Sequence, residues 1–113
     1  MQTKVTLILD NPADADAFEA EFPALADRAA ALPGLVRLES AKVFPKEDGT
    51  ATPAYRTLDL YFDDYAAASR AVATPQAGEF FGQLGAMNGT FTGLFSESKT
   101  GRSPPTGQTE MWL

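Results

Sequence analysis

Hydrophobic residues near the N-terminus change from a period of two to a helical period. In residues 4–9 the alternation places Val5, Leu7 and Leu9 on one face of a strand and Thr6 and Ile8 on the other. Both faces are largely apolar, which is typical of a β-strand that is covered on both sides. Asn11-Pro12 then indicates a helix start, with asparagine as the N-cap and proline in the first turn. Pro23 lies inside the predicted helix, so we expect a kink or break near residues 21–22. The apolar stripe of this helix comprises Phe18, Phe22, Leu25, Ala29 and Leu32.

The remaining pattern predicts three more strands and two more helices. Runs of alternating residues predict strands at 35–44, 55–62 and 90–96. Asp63 is a typical N-cap for a helix that follows the third strand, and Thr74-Pro75 is a typical start for a short helix after it.

The predicted order is β-α-β-β-α-β with one accessory helix, which is the ferredoxin-like arrangement. We therefore expect an α+β fold over residues 1–98, with a four-stranded antiparallel sheet and the helices on one face. Residues 99–113 are rich in Gly, Pro, Ser and Thr without an apolar period, and predict a flexible C-terminal tail.

The sheet face that the helices leave bare is expected to carry apolar and hydroxyl-bearing side chains. A face of this kind is too apolar to stay in water, so we expect a second copy to cover it in a homodimer. Between the sheet and the helices we expect a cavity. The predicted bare face includes Thr6, Ile8, Tyr55, Thr57 and Tyr61, together with some of Val36, Leu38, Phe91 and their alternates.

Composition and charge exclude several classes of function. The 113 residues include nine Lys and Arg against fifteen Asp and Glu, a net charge of −6, and the basic residues do not cluster, so we expect no nucleic-acid partner. The chain has no Cys and no His, which removes thiolate nucleophiles, imidazole bases and the usual zinc ligands, and we expect no metal. Its N-terminal segment lacks a long apolar run, so we expect no membrane span and a cytoplasmic location.

Three motifs along the chain resemble the EthD-like proteins of the dimeric α+β barrel superfamily. They are LPGLVRLE at 32–39, LDLYFD at 58–63 and TPQAG at 74–78. The resemblance implies a dimeric barrel that binds a small hydrophobic, oxygen-bearing molecule in a cavity beneath the sheet. Relatives in this superfamily resemble isomerases, cyclases, decarboxylases and monooxygenases that need no cofactor, so none is expected.

One departure from the family's pattern bears on the chemistry. Related proteins usually carry a histidine in a His-x-Pro-Leu-like segment of the first helix, whereas this chain has EFPAL at 21–25. A haem-degrading role is also disfavoured, because the chain has no histidine to serve as the usual axial ligand of the haem iron. The alternative to an enzyme is therefore a non-enzymatic ligand-binding or accessory protein of a catabolic or biosynthetic pathway.

Asp59 and Tyr61 are the candidate catalytic residues. The resemblance also places an acidic residue at Asp59, and a carboxylate that lines an apolar cavity suits acid–base catalysis. The alternative for Asp59 is a structural ion pair with Arg37, Arg56 or Lys42. Arg37 and Lys42 could also neutralise an anionic substrate, although salt-bridged or solvated roles are more common. The candidate ligand-binding residues are Tyr55, Thr57, Thr6, Ile8, Phe22 and Phe91.

Overall fold

The structure of the protein is a computed structural model that describes residues 2–99. Beyond Lys99, the predicted tail lies outside the described residues and stays a prediction. In chain order the elements are β1 (Gln2–Leu9), α1 (Ala15–Ala30), β2 (Arg37–Lys42), β3 (Arg56–Phe62), α2 (Tyr65–Val72), α3 (Pro75–Ala86) and β4 (Phe91–Ser98).

The four strands form one antiparallel sheet in the order β2-β3-β1-β4. Strands β1 and β3 are central, and their register places Leu7 opposite Leu58 and Val5 opposite Leu60. The predicted ferredoxin-like α+β fold is therefore confirmed, including the number of strands, the order of the elements along the chain and the antiparallel pairing.

One face of the sheet packs against the helices and forms the core. Along β1 every second side chain is buried, as the alternating pattern predicts. The predicted space between sheet and helices is filled by these core side chains. They include Val5, Leu7, Leu9, Leu58, Leu60 and Phe62 from the sheet, and Phe18, Phe22, Leu25, Ala29, Ala68, Ala71, Ala77, Phe80 and Leu84 from the helices.

Helix α1 begins later than predicted. Its N-cap is Asp14, whose carboxylate accepts a hydrogen bond from the backbone N–H of Ala17 at 3.1 Å. Asn11 does not cap the helix, because its side-chain amide donates to the carbonyl oxygen of Thr52 at 2.8 Å. This bond connects the end of β1 to the long loop between β2 and β3.

Helix α1 also continues through Pro23, so the predicted break does not occur. Proline removes one backbone donor, which is a local loss. Buried side chains on both sides of it, Phe18 and Phe22 before and Leu25 and Ala29 after, hold the helix on the sheet. Tertiary packing therefore outweighs the local cost.

The other helix starts lie close to their predicted positions. Asp64 caps α2, one residue later than the predicted Asp63, and accepts from the N–H of Ala67 at 2.8 Å. Thr74 caps α3 as predicted, with Pro75 in the first turn.

Candidate functional site

Five of the eight predicted site residues lie on the sheet face that is turned away from the helices. They are Thr6, Ile8, Thr57, Asp59 and Tyr61, and they alternate along β1 and β3 with the buried core residues. The register also places Thr6 opposite Asp59 and Ile8 opposite Thr57. We call this surface the open face; it comprises Lys4, Thr6, Ile8, Arg37, Glu39, Ala41, Thr57, Asp59, Tyr61, Thr92, Leu94 and Ser96.

Both candidate catalytic residues are hydrogen-bonded on the open face. The Thr6 hydroxyl donates to Asp59 Oδ1 at 2.7 Å, and the Tyr61 hydroxyl donates to Glu39 Oε1 at 2.7 Å. Arg37 lies over the Tyr61 ring, 4.1 Å from its centroid, which leaves the ring buried even though it is on this face. Among the described residues Asp59 takes part in no ion pair, so its hydrogen-bond partner is a hydroxyl and not one of the predicted basic residues.

Tyr55 does not share the open face, so its predicted placement is wrong. Its backbone N–H donates to the carbonyl oxygen of Leu9 at 2.8 Å, although Leu9 is in register with Arg56. Tyr55 and Arg56 thus both lie opposite Leu9, as in a β-bulge, and the extra residue changes the direction of the Tyr55 side chain. The Tyr55 ring packs edge-on against Phe18 at 5.6 Å, and the Arg56 guanidinium lies 4.0 Å from the Phe22 ring centroid. Both side chains therefore face α1.

Phe91 was one of the residues of which some were expected on the bare face, and it does not lie there. It lies opposite Leu9 in register and therefore on the helix-covered side. Its ring stacks on Phe81 of α3, with the centroids 5.4 Å apart. Phe22, the remaining candidate, is buried in the core on α1. The predicted site residues consequently occupy two sides of the sheet and do not line one cavity.

A cleft of about 600 Å³ lies beside Tyr55, at the end of the sheet. Its lining comes from the end of β2, the loop between β2 and β3, and Asn11 after β1, and its walls are mostly apolar. Two smaller hollows of about 320 and 310 Å³ lie near Tyr65 and near Pro33. The described residues that line the cleft are Asn11, Lys42, Val43, Phe44, Pro45, Thr50, Ala51, Thr52 and Tyr55.

Hydrogen bonds within the loop give the cleft its shape. Asp48 accepts from the backbone N–H of Thr50 at 3.0 Å and from its hydroxyl at 2.7 Å, and these bonds lower the pKa of the Asp48 carboxyl. Gly49 has a φ of 77°, a left-handed conformation that other residues adopt with strain. The Thr52 hydroxyl donates to the carbonyl oxygen of Ala54 at 2.7 Å. The loop is therefore ordered by its own side chains.

Behind the cleft wall, Glu19 of α1 bonds two cations. Arg56 contacts both carboxylate oxygens, at 2.8 and 3.0 Å, and the Lys42 ammonium lies 3.2 Å from one of them. The hydrogen bond from Arg56, with a smaller contribution from Lys42, outweighs partial desolvation and lowers the pKa of Glu19 from its ordinary 4.5 to about 2. Glu19 is therefore a permanent anion near neutral pH.

The Tyr55 hydroxyl is the unusual polar group of this region. It is buried and has no hydrogen-bond partner within residues 2–99. Buried hydroxyl groups in folded proteins nearly always have one. The Lys42 ammonium is 5.5 Å from the Tyr55 ring centroid, so a cation and an unpartnered phenol lie at the same wall.

The sequence prediction missed the roles of Glu19 and the loop. For the loop, the sequence offered one signal, the apolar run of Val43, Phe44 and Pro45 before its polar part. In the structure Phe44 is 88% exposed and does not belong to the core. No three acidic side chains in the described part of the chain come together as a metal site requires. No helix within residues 2–99 has the length and apolar character needed to cross a membrane.

No protein-family model matches the chain, and no curated protein matches it. Solved structures do match. An EthD family protein from Bacillus halodurans C-125 has a TM-score of 0.76 and 20% identity, over 88% of this chain and 100% of that one. The chain has the fold of an EthD family protein. The resemblance that the three motifs indicated is thus confirmed for the fold.

Two other solved structures share this fold. SnoaB from Streptomyces nogalater, described as a cofactor-independent oxygenase, has a TM-score of 0.63 and 19% identity over 88% of this chain and 95% of that one. A dimeric ferredoxin-like protein from Jannaschia sp. CCS1 has a TM-score of 0.64 and 19% identity over 87% of this chain and 100% of that one. At these identities the likeness establishes the fold alone.

Proposed function

We propose that this EthD-like protein binds a small, largely apolar molecule that carries an oxygen acceptor, in the cleft beside Tyr55. The observation that carries the proposal is the mostly apolar cleft lined by Tyr55, whose hydroxyl is buried and has no hydrogen-bond partner among the described residues. An unpaired buried donor is costly, and a ligand oxygen would satisfy it. The cleft volume of about 600 Å³ is in the range of small-molecule sites.

The charges beside the cleft support binding better than acid–base catalysis at that position. Glu19 has a pKa of about 2, so it holds no proton to donate near neutral pH. It is also fully engaged by Arg56 and Lys42. This arrangement favours the alternative that the sequence left open, a non-enzymatic ligand-binding or accessory protein of a catabolic or biosynthetic pathway.

Cofactor-free catalysis on the open face is the second candidate function. Asp59 would act as the base and Tyr61 as a hydrogen-bond donor, with Thr6, Thr57 and Ile8 around the substrate. The hydrogen bonds that already orient Asp59 and Tyr61 support these roles. A cofactor-independent oxygenase with the same fold, SnoaB, is consistent with such chemistry.

A homodimer that covers the open face is part of this proposal. The face carries Ile8 and the half-exposed Leu94, and the Jannaschia protein of the same fold is described as dimeric. We expect light scattering to give twice the chain mass of 12.1 kDa. Leu94→Asp should give a folded monomer, whereas Tyr65→Asp, exposed on the helix side, should remain a dimer. A folded wild-type monomer at micromolar concentration contradicts the dimer.

Binding can be tested with Nile red, a neutral apolar dye that carries a ring carbonyl. We expect saturable fluorescence enhancement with the wild-type protein and about tenfold weaker binding to Tyr55→Phe, which loses one hydrogen bond to the dye. Tyr65→Phe, outside the cleft, is the matched control and should bind as the wild type does. The absence of saturable binding, or equal affinity of Tyr55→Phe, contradicts the proposed site.

A further inference from the structure

The side chains beside the cleft leave one positive charge without its own counter-ion. Arg56 and Lys42 are both paired with Glu19, so two cations share one carboxylate. The Arg56 fork occupies both oxygens of Glu19 at 2.8 and 3.0 Å, which is the bidentate geometry of a complete ion pair. Lys42 is therefore the surplus cation of this group.

Lys42 is also the cation that a ligand can reach. Its side chain is 55% exposed, whereas that of Arg56 is 15% exposed. Among the described residues lining the cleft it is the one charged side chain. An ammonium has three N–H donors, and the contact with Glu19 Oε1 accounts for one of them.

Tyr55, whose buried hydroxyl is unpartnered among the described residues, lines the same cleft as Lys42. The Lys42 ammonium lies 5.5 Å from the Tyr55 ring centroid, and the Tyr55 hydroxyl has no hydrogen-bond partner in the described part of the chain. A cation and a buried O–H donor together match an anionic oxygen group, because hydrogen bonds to ionised acceptors are stronger than neutral ones. The acidic loop residues Glu47 and Asp48 do not line the cleft, and Asp48 is turned to Thr50.

We infer that the cleft selects apolar organic anions, with a carboxylate or a similar anionic oxygen held by Lys42 and Tyr55 and the apolar body against Val43, Phe44 and Pro45. The inference rests on the proposed function, since it names the class of ligand for the same cleft. It also gives the surplus cation a role in a chain whose net charge is −6.

A matched pair of competitors tests the inference. 1-Naphthoate and 1-naphthalenemethanol have the same ring system and differ in the carboxylate, and each is titrated against protein-bound Nile red at low salt. We expect naphthoate to displace the dye at about tenfold lower concentration than the alcohol. The preference should weaken as salt is added, because Lys42 is partly exposed to solvent.

Variants assign the preference to Lys42. With Lys42→Met, naphthoate should need the same concentration as the alcohol to displace Nile red, and the concentration of alcohol needed should not change. Lys42→Arg should retain the preference for naphthoate. Lys46→Met removes a lysine of the same loop that does not line the cleft, and should behave as the wild type does. Fold integrity is checked by circular dichroism for each variant.

The outcomes separate this inference from the proposed function. If Nile red binds saturably but the acid and the alcohol compete equally, the anion selectivity is wrong and the binding site stands. If the acid is preferred and the preference survives Lys42→Met, the anion is held elsewhere and the inference is overturned. If Nile red shows no saturable binding, the proposed function itself is wrong.

Discussion

The two faces of the sheet carry different side chains although they alternate along the same strands. On β1 the helix-facing Val5, Leu7 and Leu9 are buried, while Thr6 and Ile8 on the open face are half-buried. The covered face is mostly apolar and packs as a core, with the ion pair between Arg56 and Glu19 at one end of it. The open face combines apolar side chains with hydroxyl, carboxylate and guanidinium groups that bond one another.

This difference separates stability from chemistry. A residue on the covered face contributes by excluding water, and its removal leaves a cavity. A residue on the open face contributes through hydrogen bonds such as those from Thr6 to Asp59 and from Tyr61 to Glu39. The polar groups in these bonds lie on the side of the sheet that a ligand or a second copy of the chain can contact. The cleft belongs to neither face, since it forms where the strands end.

The largest expected effect contrasts neighbouring residues of β3. Leu58→Ala should lower the free energy of unfolding by about 3–4 kcal/mol, because Leu58 is fully buried between sheet and helices. Thr57→Ala, one position earlier on the open face, should change it by less than about 1 kcal/mol. Urea unfolding followed by circular dichroism measures both. Equal losses for the two variants contradict the contrast between the faces.

Alternation was sufficient to predict the covered face. Leu58, Leu60 and Phe62 repeat at every second position, and all three are buried. It was insufficient for β4, because Phe91 and Phe95 lie on the covered side and Leu94 on the open side, so the apolar residues do not decide which face is which. This ambiguity is why the sequence left open whether Phe91 belongs to the bare face.

Tyr55 and the cleft could not be predicted for a different reason. The placement of Tyr55 depends on the two-to-one pairing with Leu9, which is a property of the register between strands and not of the local sequence. The cleft needs Asn11, Lys42 and Tyr55 to meet across three segments of the chain. The fold was thus readable from local pattern, while the candidate binding site depends on tertiary contacts.

A charged group on the helix side gives the next largest effect. The pKa of Glu19 is about 2 in the folded chain against 4.5 ordinarily, so its pairing stabilises the fold above pH 4.5, and this contribution is lost as the pH falls toward 2. After allowance for the 30% exposure of Glu19, we expect a loss of about 1–2 kcal/mol over that range.

Unfolding measured from pH 6 to pH 2 checks this contribution. Glu19→Gln should be less stable than the wild type at pH 6 and should lose less stability as the pH falls. Glu21→Gln, exposed on the same helix, is the control and should keep the wild-type slope. A Glu19→Gln curve parallel to that of the wild type means that the pairing contributes nothing to the fold.

The smallest expected effect is that of Asp59→Asn on the open face. The asparagine side chain keeps an oxygen that can accept from the Thr6 hydroxyl, and no ion pair among the described residues includes Asp59, so no cation in residues 2–99 loses its partner. Unfolding free energy should therefore change by less than about 1 kcal/mol. A loss of several kcal/mol is the size expected when a buried ion pair is broken, and in a dimer that pair would join the two copies. Such a loss would make Asp59 a structural residue and remove the main candidate for acid–base catalysis, whereas an unchanged stability leaves its carboxylate free for a role in chemistry.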